Sequence, residues 1–190
     1  MAVPSDFSIS KINGKFAVNK ALSDTMDTMF RIQGFGWVTR KALGLASITA
    51  HITPSVQDNG VERIEVVPYI SGGFKWSLDV RPLDLSEQQV SNPILGTMVY
   101  KSRKIKLSEV TKDDEYLKEG HSGSLKEGWD TSADDTLINS HVVGKGWVQD
   151  ETWGLMDFNG KKHFTMRYRV INDAKEETDL KIVYDYTGAL

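Results

Sequence analysis

Cysteine is absent from the 190 residues. That removes disulfides, thiol nucleophiles and cysteine-ligated zinc or iron–sulfur centres. Positive charge is not in excess either: 23 Lys and Arg stand against 26 Asp and Glu, a net charge of −3. Nucleic acid and anionic membrane surfaces both call for a basic footprint, so neither is expected as a partner. No apolar run approaches the roughly 18 residues of a membrane span, and stable membrane insertion is not expected. Residues 1–10 show neither the basic start nor the apolar stretch of a secretory signal, and no Asn-x-Ser/Thr acceptor occurs. The expected location is therefore cytoplasmic. The four histidines, His51, His121, His141 and His163, fall in no metal-ligand spacing, and no dinucleotide fingerprint or nucleophile elbow is present. Neither a metal nor a cofactor is expected. What is present, 39% hydrophobic and 26% charged residues, describes a globular chain long enough for one core, taken as a single domain over 1–190.

Hydrophobic periodicity is mostly two-residue. Phe74, Trp76, Leu78 and Val80 alternate with Lys75, Ser77 and Asp79, which predicts one strand with its aromatic residues inward. Phe164, Met166, Tyr168 and Val170 alternate with Arg167 and Arg169, and Leu180, Ile182, Tyr184 and Tyr186 form another such face. Asn159-Gly160 is a strong hairpin signal, because a type I′ turn needs positive φ at both positions; Asp58-Asn59-Gly60 marks a second turn. Gly72-Gly73 and Gly144-Lys145-Gly146 read as bulges or tight turns, not phosphate loops. Two helices interrupt the strands: one over about 23–33 with Ser23 and Asp24 as its N-cap, and one over about 37–44. The polar, acidic stretch of about 111–135 repeats Leu-Lys-Glu-Gly at 117–120 and 125–128, and reads either as a surface loop or as a lid.

The segment Gly14-Lys15-Phe16, the helix pair, and Gly34-Phe35-Gly36-Trp37-Val38-Thr39-Arg40-Lys41 together resemble the opening of the intracellular fatty-acid-binding proteins. The end of the chain, Lys181 to Tyr186, resembles that family's closing strand. The chain is also similar to small calycin-like (lipocalin-like) proteins of fungi, some found beside natural-product pathways. The resemblance implies an all-β fold: a closed antiparallel calycin-type β-barrel with a two-helix cap, a long inserted loop or lid, and an internal cavity for an apolar small molecule. It also implies that Met26, Met29, Phe30 and Phe35 face the barrel mouth. One departure stands out. The family's last strand carries Arg-x-Tyr for a fatty carboxylate, and here the Arg position holds Ile182 or Tyr184, depending on register.

Candidate ligand-binding residues are Trp76, Trp147 and Met166, each on the apolar side of an alternating strand, where an aromatic wall and plain core packing are the two readings. Tyr184 and Tyr168 are candidate catalytic donors, and His51 a candidate acid/base with a pKa near neutrality, against the alternative of a structural histidine. His163 is expected to be solvated. Arg167 and Arg169 face outward if Tyr168 faces in; the reverse register would put two guanidiniums inside. Two functions follow. One is binding of an apolar lipid, terpenoid or polyketide-like molecule in the barrel. The alternative is a cofactor-independent cyclase or isomerase, pericyclase-like and of fungal natural-product biosynthesis, using the same cavity.

Overall fold

The computed structural model describes residues 1–92, 94–109, 128–132 and 134–190. Eleven strands form one antiparallel sheet: β1 Gly14–Val18, β2 Ile48–Val56, β3 Glu62–Ile70, β4 Phe74–Lys75, β5 Asp79–Pro82, β6 Asp84–Asn92, β7 Gly96–Lys106, β8 Thr136–Gly144, β9 Trp147–Phe158, β10 Lys161–Asn172 and β11 Glu177–Gly188. The spatial order is β4-β3-β2-β1-β11-β10-β9-β8-β7-β6, with β5 also paired to β3. The first strand thus meets the last, Phe16 opposite Tyr186.

The expected closed barrel is not what forms. Among the described residues no ladder joins β5 to β6, so the sheet curls on itself and keeps an unbonded seam between them. Most of the expected 111–135 insert lies outside the described residues. Its described end, residues 128–132, lies on the outer face of the sheet. There Trp129 covers Gly154, where even a methyl group would come within 2.4 Å of the indole, and Asp130 donates its backbone N–H to Leu155.

The turns follow their chemistry. Asn159 (φ 56°) and Gly160 (φ 77°) take the left-handed conformations that a type I′ hairpin demands, and β9 and β10 pair in register from Phe158–Lys161 onward. Helix α1 (Asp27–Ile32) starts later than expected, and α2 spans Trp37–Leu45. Ser23 and Asp24 do not cap α1. They bond the backbone of β11 instead, Ser23 Oγ accepting from Val183 N–H and Asp24 from Lys181 N–H, both at 2.8 Å. The two groups thus occupy a strand edge, and α1 forms only beyond it.

The helices cover one end of the curl, and a 3-10 turn at Ile9–Lys11 packs beneath β8 and β9 at the other. Among the described residues an apolar cluster lies between them, with Ile12, Phe16, Ile52, Trp153, Phe164 and Ile182 fully enclosed. Edge-to-face contacts tie its rings together, Phe16 to Phe164 at 5.1 Å and Trp153 to Phe164 at 5.9 Å.

The expected strand over 74–80 is broken and its phase reversed. Phe74 and Leu78 are exposed, while Asp79 and Arg81 are buried. The cause is β3: Asp79 pairs with Val66 and Arg81 with Ile64, both inward residues, so the charged pair inherits the inner face.

Candidate functional site

On β9 the inward residues are Trp147, Gln149, Glu151, Trp153 and Leu155, every second position, and two of them are polar. Burying a carboxylate such as Glu151, 2% exposed, is tolerated only if it is paired. Its partner is Arg81, whose Nη1 forms an ion pair with Glu151 Oε1. The same guanidinium reaches Asp79 Oδ2 at 3.4 Å, and Tyr100 OH donates to that oxygen at 3.5 Å. The guanidinium is held between aromatic faces, 4.6 Å from the ring centre of Tyr100 and 5.0 Å from that of Trp153. Gln149 donates from Nε2 to Glu151 Oε2 at 3.1 Å and accepts at Oε1 from Gln33 Nε2 at 2.9 Å. A continuous polar chain therefore runs from the end of α1 through β9 to β5.

Two donors in this cluster have no hydrogen-bond partner among the described residues: Arg81 Nε and Trp153 Nε1. Both are buried, where an unmade hydrogen bond costs about 1–3 kcal/mol. Such atoms point to an acceptor supplied by a ligand or water.

Beside the charges lie the tyrosines. Tyr168 sits opposite Glu151 on β10 and donates to Met166 Sδ at 2.8 Å; Tyr184 reaches the same sulfur at 3.6 Å. Tyr168 has an inward register and packs against the core, yet stays half-buried. Burial pushes the Tyr184 phenol up to about 12, and burial likewise raises Tyr168 and Tyr100 well above the ordinary phenol value. All three act as neutral hydroxyl donors at physiological pH.

Tyr184, Tyr168 and Met166 thus lie together on the inner face, as their alternation implies. Trp147 is inside but near the helix-covered end, its indole filling the space above Gly144, where a methyl group would stand 2.2 Å from the ring. Trp76 is half-buried between β4 and β5, outside the charged cluster. His51 is not in the interior. It alternates with buried Ala50 and Ile52, stacks on Tyr69 at 4.3 Å and borders an outer-face hollow. Desolvation, then the nearby Lys15 charge, lowers its pKa.

His163, expected to be solvated, is buried on the outer face. Phe158 packs against it, Asp185 is 3.3 Å away, and the N-terminal residues attach alongside through Val3 N–H to Lys162 O. Arg167 and Arg169 face outward, Arg167 over Trp129 and Arg169 paired with Glu177 at 2.7 Å.

Of the helix residues, Phe30 and Phe35 meet at a tilt with ring centres 4.9 Å apart, and Met29 is buried with Phe35. Met26 and Phe30 line a groove of about 400 Å³ between the helices and the end of β1, bordered by Val18 and Arg40.

Arg81, Glu151, Asp79 and Gln149 escaped the sequence reading. The signal was available for β9, since Gln149 and Glu151 keep the phase of Trp147, Trp153 and Leu155. For Arg81 no local signal existed, because the apolar alternation before it has the opposite phase.

No family model matches the chain. Among curated proteins it is 28% identical over 189 residues to the probable pericyclase scpY of Mollisia scopiformis, covering 98% of this chain and 95% of that protein. It is 24% identical over 189 residues to the pericyclase pydY of an Acremonium species, covering 99% and 98%. Among solved structures it is similar to apo lipid binding protein 8 of Caenorhabditis elegans, with TM-score 0.58, 11% identity and coverage of 95% and 98%. It is also similar to the brain fatty-acid-binding protein of Drosophila melanogaster, with TM-score 0.55, 12% identity and coverage of 92% and 98%. A curled antiparallel sheet capped by two helices, its first strand paired to its last, is the fold this chain shares with the fatty-acid-binding proteins.

Proposed function

We propose that this protein is a cyclase of the pericyclase kind, acting on an apolar, unsaturated natural-product precursor held inside the curled sheet. The observation that carries the reading is the buried Arg81–Glu151–Asp79 cluster, with its unpartnered donors at Arg81 Nε and Trp153 Nε1. A pericyclic ring closure needs no redox partner and releases no atom: π bonds of one molecule become σ bonds of the same molecule. The protein's part is to hold the reactive conformer and to withdraw electron density from the reacting alkene. The apolar cluster, with the half-buried Leu83 and Tyr168 packed against it, suits the first task. The two donors, fixed in a low-dielectric site, suit the second, by bonding a carbonyl conjugated to that alkene. Full-length similarity to two pericyclases supports the same reading.

A carrier of apolar ligands is the second reading, favoured by the fold shared with lipid-binding proteins. Incubation with linear conjugated polyenes ending in a carbonyl-activated alkene separates the two. A pericyclase yields an isomer of equal mass that has lost conjugated absorbance, and Arg81→Met slows its formation. Rates unchanged by the protein across the panel would refute catalysis and leave the carrier.

A further inference from the structure

The charges inside the curl do not balance. Asp79 and Glu151 face one guanidinium, and the next cation in the inward phase, Lys104 on β7, is already paired with Glu62. Arg103 on the neighbouring β7 alternates with inward Ser102 and reaches Asn139, an outer-face residue. Arg167 and Arg169 are outside as well. Arg81 Nη1 and Glu151 Oε1 answer each other in the ion pair, which leaves two N–H donors without an acceptor here, Arg81 Nε and Trp153 Nε1, with the guanidinium centre 5.0 Å from the Trp153 ring. Donors call for an acceptor on the ligand. A surplus of negative charge disfavours an acceptor that is itself an anion.

We propose that this site takes a neutral carbonyl group, such as a ketone, amide or lactam, and discriminates against a free carboxylate. The inference rests on the placement of the ligand inside the curl given under Proposed function and adds its chemical class. A carboxylate entering beside Glu151 would be a third negative charge around one positive, in a region where charges are poorly screened. It can escape that repulsion by arriving protonated, which sets a ceiling on the penalty. A carboxyl with pKa near 4.3 needs about three pH units of protonation at pH 7.4, or roughly 10³-fold in affinity. The expected preference for the neutral group is therefore between about 10- and 1,000-fold.

The test uses dodecanamide and dodecanoic acid, equal in chain length, displacing the neutral dye Nile red from the intact protein. The amide should displace at the lower concentration at pH 7.4. The gap should narrow as pH falls towards 5, because protonation of the acid becomes cheaper. Glu151→Gln, which keeps the side-chain shape and leaves one carboxylate opposite Arg81, should collapse the gap, with circular dichroism checking that the variant folds. Equal or tighter binding of the acid, failure of both to displace the dye, or a gap unchanged in folded Glu151→Gln would overturn the proposal. Displacement requires no turnover, so the two readings fail separately. Preference for the amide without any cyclisation sinks the cyclase alone, and cyclisation with a preference for the acid sinks the selectivity alone.

Discussion

Removing the interior cation should cost this protein far more than removing the whole charged cluster. Arg81→Met leaves Glu151 and Asp79 facing each other without their shared partner, both shielded from water. Truncating one member of such a buried pair costs about 3–5 kcal/mol, mainly because the remaining charge is stranded. At roughly 2–4 °C of Tm per kcal/mol for a domain of this size, the variant should melt about 6–20 °C below the parent. The triple variant Asp79→Asn, Arg81→Met, Glu151→Gln removes the charges together and should recover roughly half of the loss or more. Equilibrium urea unfolding followed by tryptophan emission reads both, since Trp153 lies against the guanidinium. The reasoning is refuted if Arg81→Met lies within about 1 kcal/mol of the parent, or if the triple variant is no more stable than the single one.

Tyr168→Phe should lower cyclisation turnover by about 10²-fold with substrate binding changed by about 1 kcal/mol, measured as a kcat-against-KM split; Tyr184→Phe should change turnover less, as Tyr184 is buried whereas Tyr168 is half-buried. Phe30→Asp places a carboxylate in the groove under the helices and should slow uptake of an apolar fluorescent probe in stopped-flow mixing. Gly154→Ala drives a methyl group into Trp129 and should destabilise by about 1–3 kcal/mol while releasing Trp129 to solvent, seen as a red-shifted emission. Acid should unfold the protein in a defined window. At Asp185 burial raises the pKa, but hydrogen bonds from the N-terminus and Asn19 outweigh it, and Asp130 is lowered chiefly by Ser132. Groups with depressed folded pKa values contribute stability above the ordinary carboxylate pKa of about 4, and lose it as pH falls through the depressed values. A melting temperature unchanged between pH 6 and 3 would contradict this.

The parts of the fold legible in the sequence were those fixed by local physics. Asn159-Gly160 dictates its hairpin whatever surrounds it, and the alternation of β10 and β11 puts Tyr168 and Tyr184 on the apolar face and Arg167, Arg169 and Lys181 on the other. The misreadings all involve a distant partner. Ser23 and Asp24 have cap chemistry, but the β11 backbone competes for the same atoms. Phe74 to Val80 alternates plausibly, yet its phase is imposed by β3, which the segment meets only after a turn. His163 looks exposed until the N-terminal residues cover it. The candidate site divides the same way: its phenols follow from periodicity, whereas Arg81 and Glu151 are brought together only by the curl.

The pairing of β1 with β11 bears on how the chain is made. β1 is the first strand of the sheet to be synthesised, and its ladder partner, Glu177–Gly188, is the last of the sheet's strands. Gln33 likewise waits for Gln149, 116 residues later, and Arg81 for Glu151. Until then Arg81 and Asp79 have Tyr100 of β7 beside them but neither Glu151 nor Trp153, so β2 to β7 cannot complete this interior on their own. Completion therefore waits for β11 and is dominated by non-local contacts, a topology that folds slowly and leaves strand edges open meanwhile. The growing chain should depend on chaperones more than its size suggests. Loss of the last strand should abolish folding altogether, not merely weaken it.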